Sequence, residues 1–329
     1  MQRIPLLLVV MLSLAVYVQA SENSNNLIIN RLVIFGDSLS DQGKLHNKMS
    51  AALPLSPPYW KGRFSNGPVW TDRLSEKYPL INEAEGGAAA VDYRRFSSDM
   101  KYKVANTLDN EINQFLGHSS FKNDDLIIIW IGGNDYLAYH WTKPADIERV
   151  VLEHVIQIRR IQRLGAKHIL VINLPDMGKT PIARKEGVSA LMSDVTEYHN
   201  TYMKTVFEKA FDPEFVRIFD ATAVFNDFIN SPQDYGFEHT IEPCYSGDYW
   251  GLPWSQSRST RSAQLKPEQQ VFAHTLQSSL ASPSQHRLFW TDTPECRGYI
   301  YMDGIHPSQL AHKQAAKLLD ADIQLHYSP

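Results

Sequence analysis

Three short apolar runs, each ending in a turn, constrain this chain more than any other feature. Arg31 to Phe35 runs into Gly36-Asp37-Ser38, Leu126 to Trp130 into Gly132-Gly133-Asn134-Asp135, and Ile169 to Ile172 into Asn173-Leu174-Pro175. Short, β-branched and continuously apolar, they read as buried strands. Before the third, Ile147, Val150, Val151, His154, Ile158, Ile161 and Leu164 recur at helical spacing and stop at Gly165. Strand, helix, strand in that order argues for a parallel sheet. Ser193 to Lys209 predicts another helix, Val216 to Phe219 another strand, and Ser308 can cap a last helix running toward His326. The alternation predicts a three-layer α/β/α fold around a central parallel sheet. Ligands in such sheets bind beyond the carboxyl ends of the strands, and Ser38, Asn134 and the Asp303 segment each follow an apolar run at that kind of edge.

Taken singly, these turns carry little. Gly-Asp-Ser is usually only a turn, and an Asp near a His is often a solvated pair. Their combination is more specific. A serine hydroxyl needs a base to become a nucleophile, and a turn after a strand can lift Ser38 Oγ above the sheet edge. His306 is a base of the right kind, and Asp303, three residues earlier, can reach its Nδ1 to fix the tautomer. The tetrahedral intermediate of acyl transfer needs uncharged donors, which the Gly87 backbone and the Asn134 amide can supply.

At this point the chain resembles the GDSL or SGNH serine esterases and lipases. The blocks are Phe35-Gly36-Asp37-Ser38-Leu39-Ser40-Asp41-Gln42-Gly43, Asn82-Glu83-Ala84-Glu85-Gly86-Gly87-Ala88, Ile131-Gly132-Gly133-Asn134-Asp135 and Asp303-Gly304-Ile305-His306-Pro307, all in the family order. The resemblance implies the flavodoxin-like SGNH fold, with Ser38 as nucleophile, His306 as base and Asp303 as its orienter. It implies an oxyanion hole from the Ser38 backbone, Gly87 and Asn134; five residues after Asn82 favours Gly87 over Gly86. Gly62 to Gly67, followed by Val69-Trp70, looks like a further segment shared by lipase-like members. Lys44 is a departure, since asparagine often follows Gly43 in this family, and it leaves the local loop bonding open. The closest resemblance is to secreted bacterial phospholipases A, a group with lysophospholipases and glycerophospholipid:cholesterol acyltransferases. It implies a phospholipid or lysophospholipid substrate, cleaved through an acyl-Ser38 enzyme and released by water or an alcohol. A general carboxylesterase or carbohydrate deacetylase on the same triad is the alternative. A silent lipid- or carbohydrate-binding protein is disfavoured because every catalytic position is occupied. Tyr59, Trp60, Tyr245, Tyr249, Trp250 and Trp254 are candidates for an apolar rim or for ordinary packing.

The N-terminus adds a compartment. Arg3, the apolar run Leu6 to Val18 and Val18-Gln19-Ala20 have the layout of a secretory signal peptide over residues 1–20. That run of 13 residues is short of the ~20 needed to span a bilayer. The mature chain, residues 21–329, is expected as one secreted domain with a polar surface excursion over about 245–285. In an oxidising compartment its two cysteines, Cys244 and Cys296, are expected to pair. Arg258 and Arg261 offer a protease sites inside that excursion, where a cut would open access to the catalytic serine. No metal-ligand spacing occurs, Gly86-Gly87 lacks the Lys-Ser/Thr of a nucleotide site, and no cofactor is implied. With 32 basic against 36 acidic residues and no basic block, nucleic acid is a poor partner.

Overall fold

The structure, a computed structural model, describes residues 29–95, 106–247 and 292–327. The signal-peptide segment, the excursion beyond Gly247, and Tyr249, Trp250, Trp254, Arg258 and Arg261 lie outside the described residues.

Five strands, β1 (Arg31–Gly36), β2 (Leu80–Asn82), β3 (Asp125–Trp130), β4 (His168–Ile172) and β5 (Val216–Phe219), form one parallel sheet in the order β2-β1-β3-β4-β5. The principal helices are α1 (Trp70–Ser75), α2 (Leu108–Leu116), α3 (Gly133–Leu137), α4 (Pro144–Arg163), α5 (Ser189–Ala210), α6 (Ala221–Asn230) and α7 (Gln309–Tyr327). Alternation along the strands sorts the core into two layers. Val33, Phe35, Ile127, Ile129, Ile169 and Val171 pack against α2, α4 and α5, while Leu32, Ile34, Leu126, Ile128, Leu170 and Ile172 pack against α1, α6 and α7. Burial of each such side chain contributes about 2 kcal/mol, so both faces of the sheet must be covered and three layers result.

The expected boundaries hold with small shifts. Gly165, at φ 105°, follows α4. Ser308 Oγ accepts from the Ala311 N–H (3.2 Å) and so caps α7. α5 begins at Ser189 rather than Ser193, directly after Gly187 closes the preceding turn in the left-handed conformation. One placement differs in kind. Asp303 does not follow a strand of the central sheet; it follows β7 (Tyr299–Tyr301), which pairs with β6 (His239–Pro243) in a separate two-stranded sheet and bridges Pro307 through Tyr301. β6 is half-buried at its ends and exposed at Ile241 and Glu242, and β7, though apolar, is only three residues long, so neither shows the long buried run that marks the core strands. Cys244 and Cys296 are disulfide-bonded, as the compartment argument requires, with Cα atoms 5.4 Å apart. The bridge closes the segment between β6 and β7 just beside both strands.

The chain leaves β1 for β2 on one side and returns to β3 on the other. A crevice forms where the strand order reverses, at the carboxyl ends of β1 and β3. Ser38 and Asn134 follow those two ends.

Candidate active site

β1 ends at Gly36 because nothing larger fits: a Cβ there would lie 2.6 Å from the Trp130 carbonyl of β3. The chain then bends, with the Ser40 N–H donating to the Asp37 carbonyl (3.0 Å). Ser38 sits at the head of this bend, and its Oγ donates to His306 Nε2 (2.8 Å). His306 Nδ1 donates in turn to Asp303 Oδ2 (2.8 Å). The other oxygen, Oδ1, accepts from the Ile305 and His306 N–H groups at 2.8 and 2.7 Å. Burial alone would raise the Asp303 carboxyl, but facing His306 and its hydrogen-bond donors hold it below the usual carboxylate range. The three residues that the sequence placed in a nucleophile, base and orienter arrangement are thus brought together in one hydrogen-bonded line.

The line has a fourth member whose place the sequence leaves open. Tyr59, a candidate for an apolar rim or for ordinary packing, is wholly buried, and its hydroxyl donates to Asp303 Oδ2 (2.6 Å). Tyr245, a candidate for the same two roles, is also buried and meets Tyr59 edge to face at 5.9 Å. Both belong to the packing behind Asp303, whereas half-buried Trp60 carries Lys61 and Arg63 over its ring. The Gly62 to Gly67 segment now has a physical role. The Phe64 ring lies 5.0 Å from that of His306, Ser65 Oγ donates to the Pro307 carbonyl (3.0 Å), and Asn66 Oδ1 accepts the Gln309 N–H (2.8 Å) at the start of α7. Asn66 also donates to the carbonyls of Pro294 and Glu295, next to the disulfide. This segment clamps the strip that carries His306.

On the serine side, buried carboxylates organise backbone N–H groups. Asp41 accepts from Gly43, Lys44, Leu45 and Gly86, tying the Ser38 loop to the glycine loop after β2. Glu111, on α2, accepts from Gly36 N–H with one oxygen (2.9 Å) and from Glu85 N–H with the other (3.1 Å). Asp135 accepts from the N–H groups of Ala90 and Val91 and from the Tyr93 hydroxyl. Because the Gly86 N–H is committed to Asp41 (2.8 Å), Gly87 is the better candidate donor of the pair; it is exposed, at φ 80°. Asn134 lies beside Ser38 on the wall of the cleft, its Nδ2 braced by a bond to the Ala88 carbonyl (2.8 Å). Lys44 keeps its backbone N–H on Asp41, while its ammonium pairs with the Glu83 carboxylate and donates to Gln114 Oε1 (2.7 Å). The departure from asparagine therefore leaves the loop well bonded. Asp37, next to Ser38, contrasts with Asp303: burial, only partly offset by the Leu39 N–H and by His306, pushes its carboxyl up to about 7. His154 is structural, wholly buried with ring nitrogens against the Val150 and Ile131 carbonyls.

The cleft beside Ser38 takes in about 720 Å³, counting the solvent at its open mouth. Leu137, Leu174, Met177, Phe225, Ile229 and Ile305 line it, so its walls are mainly apolar. Among the described residues no helix is long and apolar enough to cross a membrane.

Comparison with known proteins agrees with this geometry. The family described as GDSL-like Lipase/Acylhydrolase matches residues 32–319. The chain is 38% identical to phosphatidylcholine-sterol acyltransferase of Aeromonas hydrophila, over 95% of each chain. It is 26% identical to secreted effector protein SseJ of Salmonella typhimurium, covering 91% of this chain and 65% of that one. The thermolabile hemolysin of Vibrio parahaemolyticus is also 26% identical, over 90% of this chain and again 65% of the relative. Among solved structures, phospholipase A1 from Streptomyces albidoflavus overlaps 64% of this chain and 88% of that one at 14% identity and a TM-score of 0.36. An overlap that loose carries nothing about substrate.

Proposed function

The chain belongs to the GDSL-like lipase/acylhydrolase family, and from that premise we propose that it is a secreted enzyme cleaving acyl esters of phospholipids or lysophospholipids through an acyl-Ser38 intermediate. The observation that carries the proposal is the unbroken line from Ser38 through His306 and Asp303 to Tyr59, opening on an apolar cleft.

His306 Nε2 takes the Ser38 proton as Oγ attacks the ester carbonyl, while Asp303 holds Nδ1–H and offsets the imidazolium charge. The carbonyl oxygen becomes an oxyanion facing the Ser38 and Gly87 N–H groups and the Asn134 amide. Collapse expels the glycerol oxygen, which takes the proton from His306, and leaves the acyl group on Ser38. Water, or an alcohol such as a sterol, then gives its proton to His306 and attacks the acyl-enzyme, freeing Ser38. The 38% identical relative, a phosphatidylcholine-sterol acyltransferase, supports both the lipid donor and the alcohol acceptor. Secretion rests on the layout of residues 1–20 and on the disulfide, which persists in oxidising compartments. On this reading residues 21–329 are one domain, with about 245–285 as an insertion.

A substrate panel tests the proposal: lysophosphatidylcholine, diacyl phosphatidylcholine with and without sterol, a short nitrophenyl ester and an acetylated sugar. Turnover of the lipids, abolished by an organophosphonate that labels Ser38, is expected. Turnover confined to the acetylated sugar and short ester overturns the lipid assignment, and lipid turnover that survives complete labelling overturns the mechanism.

A further inference from the structure

We propose that Lys179 anchors the phosphate of a glycerophospholipid whose ester lies at Ser38; this rests on the acyl-ester reading above and adds to it where the headgroup goes. Among the described residues, Lys179 is the one cationic residue lining the cleft that also holds Ser38 and Asn134. It ends a short turn, Met177–Lys179, that follows β4 and is capped by Asp176. Its Nζ donates to Asn226 Oδ1 on α6 (2.6 Å). An ammonium has three donors, so two remain.

Among the described residues no carboxylate lies within ion-pair distance of this ammonium. Each of the two acids of the cleft accepts its hydrogen bonds from other groups, through Oδ1. Asp176 accepts from the Gly178 N–H (3.0 Å) and the Ser193 hydroxyl (2.7 Å), and buried Asp37 accepts from the Leu39 N–H (3.0 Å). A half-buried cation facing an apolar wall without a counter-ion is costly to keep unless an anion arrives with the ligand. A fatty acyl chain needs no such group. A phospholipid does, because its phosphodiester is joined to the glycerol a few bonds from the ester carbonyl and carries one negative charge. Charge-assisted hydrogen bonds of this kind are the strong ones, and lysine supplies them as a point charge that follows a mobile headgroup. The Asn226 carboxamide orients the ammonium and presents its own Nδ2 donors beside it.

The test compares two substrates sharing one acyl chain, lysophosphatidylcholine and the uncharged monoacylglycerol, in the same detergent micelles. Lys179→Met in the full chain is expected to lower kcat/KM on lysophosphatidylcholine about tenfold, mainly through KM, the usual worth of a hydrogen bond to a charged group. Monoacylglycerol turnover stays within about twofold on this account, which also reports that the variant is folded, and Lys179→Arg keeps most of the phospholipid activity. Asn226→Asp supplies an internal counter-ion to Nζ and lowers phospholipid turnover with the same selectivity, independently of how Lys179→Met folds. Equal losses on both substrates, or none on the phospholipid, overturn the assignment of Lys179 while leaving the acyl-ester reading intact. A wild-type enzyme that cleaves monoacylglycerol but not lysophosphatidylcholine overturns the phospholipid reading and Lys179 with it.

Discussion

The two halves of the site reach the Ser38–His306 contact by opposite routes. Ser38 and Asn134 follow β1 and β3, neighbouring strands with wholly buried apolar side chains at the centre of the sheet. Their turns are pinned where buried Asp41, Glu111 and Asp135 collect backbone N–H groups. His306 and Asp303 instead hang from β7, a three-residue strand of a two-stranded sheet. They are held by the disulfide, by Tyr59 and by the Phe64 to Asn66 clamp. The serine half is positioned by the cooperative core, and the histidine half by separable contacts. Damage to the first costs the fold, whereas damage to the second costs geometry. The two carboxylates nearest the reaction differ in the same sense, Asp37 pushed up by burial and Asp303 held down by its partners.

The sharpest way to break this distinction is to remove the bridge. Replacing Cys244 and Cys296 with Ala opens a crosslink of sequence separation 52 and is expected to cost about 2 to 4 kcal/mol. The loss should concentrate on the histidine half, so activity fades at a lower temperature than the circular dichroism of the central sheet; coincident midpoints would merge the two halves into one unit. Next, Asn134→Ala should lower kcat about 10²-fold with KM little changed. An unchanged kcat would take Asn134 out of the oxyanion hole.

Tyr59→Phe deletes one bond to Asp303 and leaves its two backbone donors, so kcat is expected to fall about tenfold with the melting temperature nearly preserved. If turnover is untouched, the backbone alone orients Asp303. The gentlest effect is a slope in stability with pH. From its ordinary 3.8 to its folded value of about 7, Asp37 holds a proton that the unfolded chain has lost, so its contribution to stability declines as pH rises through that window. Asp37→Asn should remove that decline, at most about 1.4 kcal/mol per pH unit. Asp303 has the opposite sign: its contribution is present above its ordinary 3.8 and is lost as pH falls through its lower folded value. Chemical denaturation from pH 5 to 8 measures the Asp37 slope, and a variant that parallels the parent refutes a buried neutral Asp37.

The core strands were legible because burial on both faces leaves continuous apolar runs; Ile127, Ile128 and Ile129 cannot all be hidden otherwise. β2 is three half-buried residues, and β6 exposes Ile241 and Glu242, so neither leaves a pattern to read. Ser38, His306 and Asp303 were legible through their blocks, and the cysteine pairing through its compartment. The sequence leaves Tyr59 open between a lipid-facing rim and ordinary packing, because composition distinguishes an aromatic from a polar residue but not a rim from a core. Its bond to Asp303 spans 244 positions and that of Glu111 to Gly36 spans 75, separations with no local periodicity. Lys179 lies in a short turn without a motif, and only its place on the cleft wall singles it out.

Glu111 spends one carboxylate on two loops, Gly36 N–H on one oxygen and Glu85 N–H on the other. In evolutionary terms this makes the two loops a single heritable character. A change that shifts the serine turn also shifts the reference point of the glycine turn, so substitutions tolerated in one background are penalised in another. Divergence in substrate range is then channelled away from this knot and toward the cleft wall, where a side chain can be exchanged without disturbing how the serine is presented.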